Sequence, residues 1–587
     1  MNDRNPASVT DASQIPDSRG INFFDYDPDS AALLRLHLGE ARYAALEPQL
    51  RALGLRASDE LDRLALRADK NPPVLESRTR LGEARQRIDK HPDFVALERV
   101  AYAELGLAAM SHEADPPPPL VKYALTFLFV QAEFRLCCPV SMTDSLTHTL
   151  RRYGDPALVA RFLPRLASRD FDTLFQGAMF MTEQQAGSDV GGITTRAVRE
   201  RAADGEEIWT LSGDKWFCSN PDADLAMVLA RPDGAPPGIH GLGLFLLPKT
   251  LPDGTRNAYR IVRLKDKLGS RSMASGEIVL EGAQAYLIGQ IGRGFHQMAD
   301  MINLSRLSNG VRAAGLMRRA VTEALYVARH REAFGRRLVD MPLMRRQLLK
   351  MMVPAEQART MFMHIALRLA ESAHDARAAA CVRILTPLIK FRACRDARRV
   401  TGDAMEVRGG TGFIEEWSDA RLVRDAHLGS IWEGTSNIVA LDVARAVRRE
   451  QALGPLRDWL RQVLDAARLP ERSHEALSLA LERAVDLMAR VAEDRDDAQV
   501  RHAASALYHV TTAVLMAADG MRLAPDHRRL ALAHAVLRYR LTSVDPLAPV
   551  GPHEQGELAA ALLSEQAVPL EVAMQMLPAV RHDEAHA

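Results

Sequence analysis

The strongest constraint on the fold is a change of hydrophobic period in the middle of the chain. From about residue 174 to about residue 289, β-branched and aromatic residues alternate with polar ones, and glycine or proline pairs recur. Residues 208–212, 225–229, 243–247, 259–262 and 276–280 are predicted strands, with Asp233-Gly234 and Asp253-Gly254 turning the chain between them. Before and after this insert, apolar residues recur at helical spacing. The chain is therefore expected to be α+β and mainly helical, with one compact all-β unit, sandwich or barrel, set between helical units.

Length sets the number of units. At a prior of roughly 150 residues per domain, 587 residues make three or four. The expected division is a flexible arm over 1–21, an N-terminal helical domain over 22–174, a central β domain over 175–290, a helical bundle over 291–450 and an additional helical domain over 451–587. In the first of these, 31–68 is amphipathic and helical, Asn71-Pro72-Pro73 breaks it, 78–89 is charged and turn-like, and 120–134 is the most apolar helix. In the bundle the predicted helices are 295–332, 342–372, 376–404 and 436–450, suited to antiparallel packing.

Charge excludes some partners. The 75 basic and 75 acidic residues balance, so no global field favours nucleic acid or an anionic membrane. No run approaches the roughly 18 uncharged apolar residues of a membrane helix. The five cysteines show no metal-binding spacing, and a reduced, cytoplasmic protein without a metal is expected.

The candidate chemistry is concentrated in short stretches. Ser430 to Ile438 places one carboxylate, Glu433, between Trp432 and a Gly-Thr-Ser-Asn turn. Alone, this is most simply a helix N-cap with an acid near the positive end of the dipole. Met181 to Val190 is a polar loop whose hydroxyls and backbone N–H groups can cradle oxygen atoms, or simply a loop. Lys215 to Asn220 carries two aromatics on a strand, which are more often core than ligand contact. Arg331 to Gly335 ends a helix, and Glu406 to Gly410 reads equally as a helix stop.

The order of these stretches around a β insert resembles that of the acyl-CoA dehydrogenase family of flavoproteins, from about residue 90 to about 450. Arg424-Asp425 belongs to the same set. A narrower resemblance, to the AidB or alkylation-response branch with its extra C-terminal helical domain, rests on Asn71-Pro72-Pro73, His91-Pro92, residues 138–142, Leu251-Pro252-Asp253-Gly254 and residues 264–272.

The resemblance implies a central β-barrel or sandwich, a C-terminal four-helix bundle and bound FAD. Thr182 and Ser188 would hydrogen-bond the flavin and its pyrophosphate region. Phe217, Cys218 and Ser219, beside Trp216, would form the flavin wall. Arg331 and Phe334, and the loop with Glu406, Gly409 and Gly410, would reach the FAD of a neighbouring subunit, and Thr435 and Asn437 its adenosine or pyrophosphate portion. Glu433 would be the general base for α,β-dehydrogenation of an acyl thioester, its backbone N–H helping to polarise the carbonyl. Trp432, Gly434, Ser188 and Arg306 would line the substrate site. A homotetramer and an electron acceptor such as an electron-transfer flavoprotein are implied.

Two residues depart from the family pattern. Glu406 replaces a common glutamine, and Arg408 or Arg331 is expected to pair with it. Asn303 replaces an acid that helps hold the pantetheine of CoA. These departures fit the AidB branch, whose proposed role is binding and protecting DNA from alkylation, with weak or vestigial dehydrogenase activity. For that role the region from Gln451 onward offers about 14 arginines, no lysine and about 19 acids, mildly acidic overall. One basic face is conceivable along Arg528-Arg529 to Arg540, though pairing with neighbouring acids is the simpler expectation. An acyl-CoA oxidase is a third reading, since such enzymes also carry an extra helical domain.

Overall fold

The computed structural model describes residues 15–201, 205, 207–543, 547 and 557–578. Seven helices build the N-terminal part: α1 (Pro28–Leu38), α2 (Glu40–Ser58), α3 (Glu60–Lys70), α4 (Pro92–Arg99), α5 (Pro119–Val130), α6 (Cys137–Tyr153) and α7 (Pro156–Leu166). α5 is apolar on every side and is buried on nearly every side, because it lies between α2 and the later bundle. Pro139 sits in the first turn of α6, where a missing N–H costs nothing.

Residues 74–89, read as turn-like in their second half, instead form a hairpin, β1 (Val74–Arg78) with β2 (Ala84–Asp89). Its charged residues hide a tertiary role. Ile88 joins the core of the β domain, and Gln86 accepts a hydrogen bond from the backbone of Ile261 at 2.6 Å.

The β domain comprises β3 (Gly177–Phe180), β4 (Arg196–Arg201), β5 (Glu207–Ser219), β6 (Leu225–Pro232), β7 (Gly243–Pro248), β8 (Tyr259–Leu264) and β9 (Ser275–Ile288). Neighbours run β6-β4-β5-β9-β7, and β7 pairs back onto β6, which closes the path into a barrel. Each predicted strand lies within an observed one.

The long helix α8 (Gly294–His330) opens the bundle. A short hairpin, β10 (Glu332–Ala333) and β11 (Arg336–Arg337), then α9 (Pro342–Glu371), α10 (Ala376–Arg408), α11 (Ser418–Gly429) and α12 (Ser436–Glu450) complete it. The extra C-terminal part holds α13 (Leu453–Ala466), α14 (Glu471–Glu493), α15 (Val500–Arg522), α16 (Arg528–Val536), α17 (Glu557–Leu563) and α18 (Leu570–Gln575). α15 packs on α9, α10 and α12, so this part is joined to the bundle along its length.

Buried ions tie the units together. Arg135, between α5 and α6, meets Asp425 of α11 at 3.1 Å and Asp69 of α3 at 3.3 Å. The other oxygen of Asp425 accepts from the Ser270 backbone at 2.7 Å, so α11 is fixed to both the N-terminal and β domains. Residues 1–14 of the expected flexible arm lie outside the described residues, but the rest of that arm is packed. Ser18 is buried and donates to Glu323 at 2.6 Å, and the Pro16 carbonyl accepts from Arg408 at 3.1 Å.

Candidate active site

Glu433 sits in the six-residue link between α11 and α12, at φ 55°. Few non-glycine residues hold this conformation without support. The support is cationic. The Arg306 Nε donates to the Glu433 carbonyl at 3.1 Å, and the Lys390 ammonium donates to the next carbonyl, that of Gly434. Gly434 itself has φ 99°, and a Cβ there would approach the side chains of Val439 and Ile438 at 3.1 and 3.3 Å. The link is thus bent by Gly434 and pinned by two helices of the bundle.

The carboxylate of Glu433 turns inward, with its side chain 6 % exposed. Ser305 Oγ donates to one oxygen, and Asn309 Nδ2 donates to the other at 2.6 Å. Ser305 and Asn309 are one turn apart on α8 and therefore share a face. Asn309 Oδ1 accepts from the Trp432 indole N–H at 2.8 Å. The Trp432 ring stacks on Phe134 at 5.9 Å, and the guanidinium of Arg312 lies 4.7 Å from the centre of the Trp432 ring. Arg312 is fully buried, 4.0 Å from the Glu433 carboxylate, and its two terminal nitrogens have no hydrogen-bond partner among the described residues.

Burial pushes Lys390 down to about 8, against the opposing pull of Cys394 and Glu433. It pushes the Cys138 and Cys394 thiols, on either side of Arg312, up to about 11. Neither is a thiolate near neutral pH.

Arg306 is a brace. Besides the Glu433 carbonyl it meets Asp442 at 2.7 Å and Asn303 Oδ1 at 3.3 Å. Asn303, where an acid was noted as missing, is thereby a partner of Arg306. The second departure resolves differently from expectation. Arg408 is buried in a pair with Glu323 and Asp419, and Arg331 donates to the Arg408 carbonyl at 3.0 Å. Neither meets Glu406, which is exposed and lies 3.5 Å from Gln347. An exposed acid needs no cation, so its charge carries little cost.

The Thr182 loop is anchored by a residue that sequence reasoning did not single out. Glu183 accepts from the backbone and hydroxyl groups of Thr194 and Thr195 and from the buried Lys215 at 2.9 Å. Burial opposes its charge, but Lys215 and these donors hold its carboxyl down at about 2. The loop runs beside β5, where the Trp216 N–H donates to the Thr182 carbonyl at 2.8 Å. Ser188 is exposed at its tip. On β5 the side chains alternate. Phe217 is 58 % exposed and Ser219 half-buried on one face, whereas Cys218 points the other way into the apolar core of the barrel. Only the backbone of Cys218 is on offer to a ligand at that face. Lys265 lies 3.7 Å from the Trp216 ring and 4.7 Å from the Phe217 ring.

Two further groups face outward. Phe334 and Gly335, both at positive φ, close the β10–β11 hairpin in the manner of a two-residue turn, leaving Phe334 96 % exposed. Gly409 and Gly410 are also exposed, next to Phe413 at 77 %. Thr435 and Asn437 open α12, with Asn437 Oδ1 accepting from Arg501 of α15 at 3.3 Å. A wide cavity of about 740 Å³ lies apart, between the end of α8, Arg345 and α17, and holds none of these residues.

The chain belongs to the acyl-CoA dehydrogenase family, whose members use FAD. It matches the middle-domain model of that family over residues 178–283 and the C-terminal-domain model over 292–448. Residues 13–173 match the N-terminal domain of the adaptive response protein AidB. Acyl-CoA dehydrogenase family member 11 of Caenorhabditis elegans is 32 % identical over 521 residues, 84 % of each chain. AidB of Escherichia coli (strain K12) is 35 % identical over 407 residues, 68 % of this chain and 73 % of that one. The structure of C. elegans ACDH-11 in complex with C11-CoA superposes with a TM-score of 0.85 at 28 % identity, covering 93 % of this chain and 95 % of that one. No helix among the described residues is long and apolar enough to cross a membrane.

Proposed function

We propose that this chain is an FAD-dependent dehydrogenase of an acyl thioester, with Glu433 as the base that takes the α-proton. The observation that carries the reading is the inward carboxylate of Glu433 on a link whose two carbonyls are fixed by Arg306 and Lys390. The residues fit FAD. The β5 face offers an exposed aromatic, Phe217, next to the hydroxyl of Ser219, and the Glu183-anchored loop presents Thr182 and Ser188 beside it. Bound there, FAD supplies a two-electron acceptor for the β-hydride.

The chain's own residues would do the rest. Trp432 and Phe134 wall the base from water. Each Glu433 oxygen accepts one hydrogen bond, from Ser305 or from Asn309, and keeps a second lone pair that could take the proton. The Glu433 N–H, next to carbonyls fixed by Arg306 and Lys390, would donate to the thioester oxygen as charge develops there. Arg312 lies 4.0 Å from the carboxylate, on the side of the Trp432 ring. Phe334, Glu406, Gly409 and Gly410 are too exposed to act within one chain. We assign them to the FAD of a neighbouring subunit in a homotetramer, with an electron-transfer flavoprotein as acceptor. The test is an anaerobic screen of the purified yellow protein with acyl-CoAs of varied length, in which at least one substrate bleaches the flavin.

A second reading, DNA binding, has one observation in its favour and one against. Against it, the Arg528-Arg529 to Arg540 stretch faces inward. Arg529 meets Glu356 at 3.0 Å and Arg528 donates to the carbonyls of Leu562 at 2.5 Å and Gln566 at 2.6 Å. In its favour, burial and the like charges of Arg501 of α15 and of Arg398 and Arg392 of α10 pull Arg395 of α10 below its ordinary value. Duplex DNA affinity that falls steeply with salt and is lost in an Arg395→Ala/Arg398→Ala variant would favour this reading.

A further inference from the structure

We infer that His37, His364 and Asp519 form a binding site for a divalent transition-metal ion of the zinc type, which clips three parts of the chain together. The three come from the last turn of α1, the middle of α9 and the end of α15, so no local spacing in the sequence announces them. Their side chains are 3 %, 11 % and 2 % exposed. Among the described residues they are the one group of three such side chains whose donor atoms converge, all within 4.8 Å of one another.

Two features point to a shared ion. His37 Nε2 and Asp519 Oδ1 lie 3.3 Å apart, yet neither atom has a hydrogen-bond partner among the described residues, although both are buried. The donor direction of the imidazole therefore misses the carboxylate it faces. The second feature is distance. His364 Nε2 lies 3.1 Å from Asp519 Oδ2, and the His37 and His364 rings meet edge to face at 4.9 Å. Ligands held about 2.0–2.2 Å from a zinc ion at tetrahedral to octahedral angles lie about 2.8–3.6 Å apart. Both nitrogen–oxygen separations fall in that interval.

The donor set fixes the class of ion. Two imidazole nitrogens and one carboxylate suit zinc, cobalt or iron(II), whereas calcium and magnesium prefer oxygen ligands throughout. Binding would replace the His364–Asp519 hydrogen bond, the His364 proton residing on Nδ1 instead. The place explains the use. α1 belongs to the N-terminal part, α9 to the bundle and α15 to the extra C-terminal part, so one ion would hold the additional part to both of its neighbours. The site shares no residue with the Glu433 site and does not depend on the dehydrogenase reading.

The test uses the FAD-loaded full chain, incubated with excess zinc, dialysed against metal-free buffer and assayed for metal by mass spectrometry. His364→Gln and His37→Gln are treated in parallel, with the flavin spectrum confirming that each is folded. About one zinc per wild-type chain, lost in both variants, is the expected result, together with a rise in wild-type melting temperature on adding zinc that the variants lack. Wild-type protein without zinc, or variants retaining the same zinc content, would overturn the inference. Cobalt(II) gives an independent readout. A tetrahedral or five-coordinate visible spectrum in wild type, absent from Asp519→Asn, supports it, and a spectrum of hexaaqua cobalt alone contradicts it.

Discussion

Asn309 bridges Glu433 and Trp432. Its amide nitrogen donates to the carboxylate at 2.6 Å, and its amide oxygen accepts from the indole at 2.8 Å. The two contacts fix the amide orientation from both ends and make the wall and the base one unit. Asn309→Leu strands the indole N–H and frees one carboxylate oxygen. The expected loss is about 1–3 kcal/mol of stability, with a change in Trp432 fluorescence, measured by denaturant unfolding of the flavin-loaded protein. Unchanged stability and emission would show that the bridge is not formed in solution.

Lys390 provides a pH signature. Its folded value of about 8 lies below the ordinary lysine value of about 10.4. Between these values the unfolded chain holds a proton that the folded chain lacks, so this group's contribution makes the fold more stable as pH rises through that window. Lys390→Met removes the contribution. The stability difference between wild type and variant should shift in favour of wild type by about 2–3 kcal/mol from pH 8 to pH 10, read from paired denaturant curves. A difference that stays constant with pH would refute it.

The Glu183–Lys215 pair supports the loop that carries Thr182 and Ser188. Lys215→Met leaves a buried carboxylate with only neutral donors and is expected to cost about 3–5 kcal/mol. FAD should dissociate more readily, seen as flavin lost on gel filtration. A Lys215→Met/Glu183→Gln double variant should recover part of the loss, because no charge is then left alone. No recovery would mean that the pair is not the loop's anchor.

Phe334 tests the subunit arrangement. Replacing a side chain that is 96 % exposed has little effect on a monomer's core. Phe334→Asp is therefore expected to leave the chain folded by circular dichroism while lowering both the oligomer mass in light scattering and FAD retention. A variant with wild-type mass and flavin content would remove Phe334 from the interface.

Much of this was legible in the sequence. The period-2 insert, the helices around it and the order of the short stretches identify the layers and place Glu433, Thr182 and Phe217. Partnerships between distant segments were not legible. Ser305 and Asn309 are visible only as two polar positions one turn apart on a largely apolar helix, and nothing local says that they meet residue 433. The 74–89 hairpin was obscured because its residues are charged and its partner, β8, lies far along the chain. The sequence offers Glu406 as a partner for Arg408 and neighbouring acids on solvated helices as partners for Arg528-Arg529. Here Glu323, Asp419 and Glu356, supplied by other helices, hold Arg408 and Arg529 inside, and backbone carbonyls hold Arg528.

The central claim is that Glu433 is the proton acceptor for an acyl thioester. Its most direct test is anaerobic flavin bleaching of wild type and Glu433→Gln with the best acyl-CoA from the chain-length screen, each protein carrying equal FAD. The account predicts that wild type bleaches and that Glu433→Gln, although yellow and able to bind the thioester, does not. Equal bleaching by both proteins would contradict it.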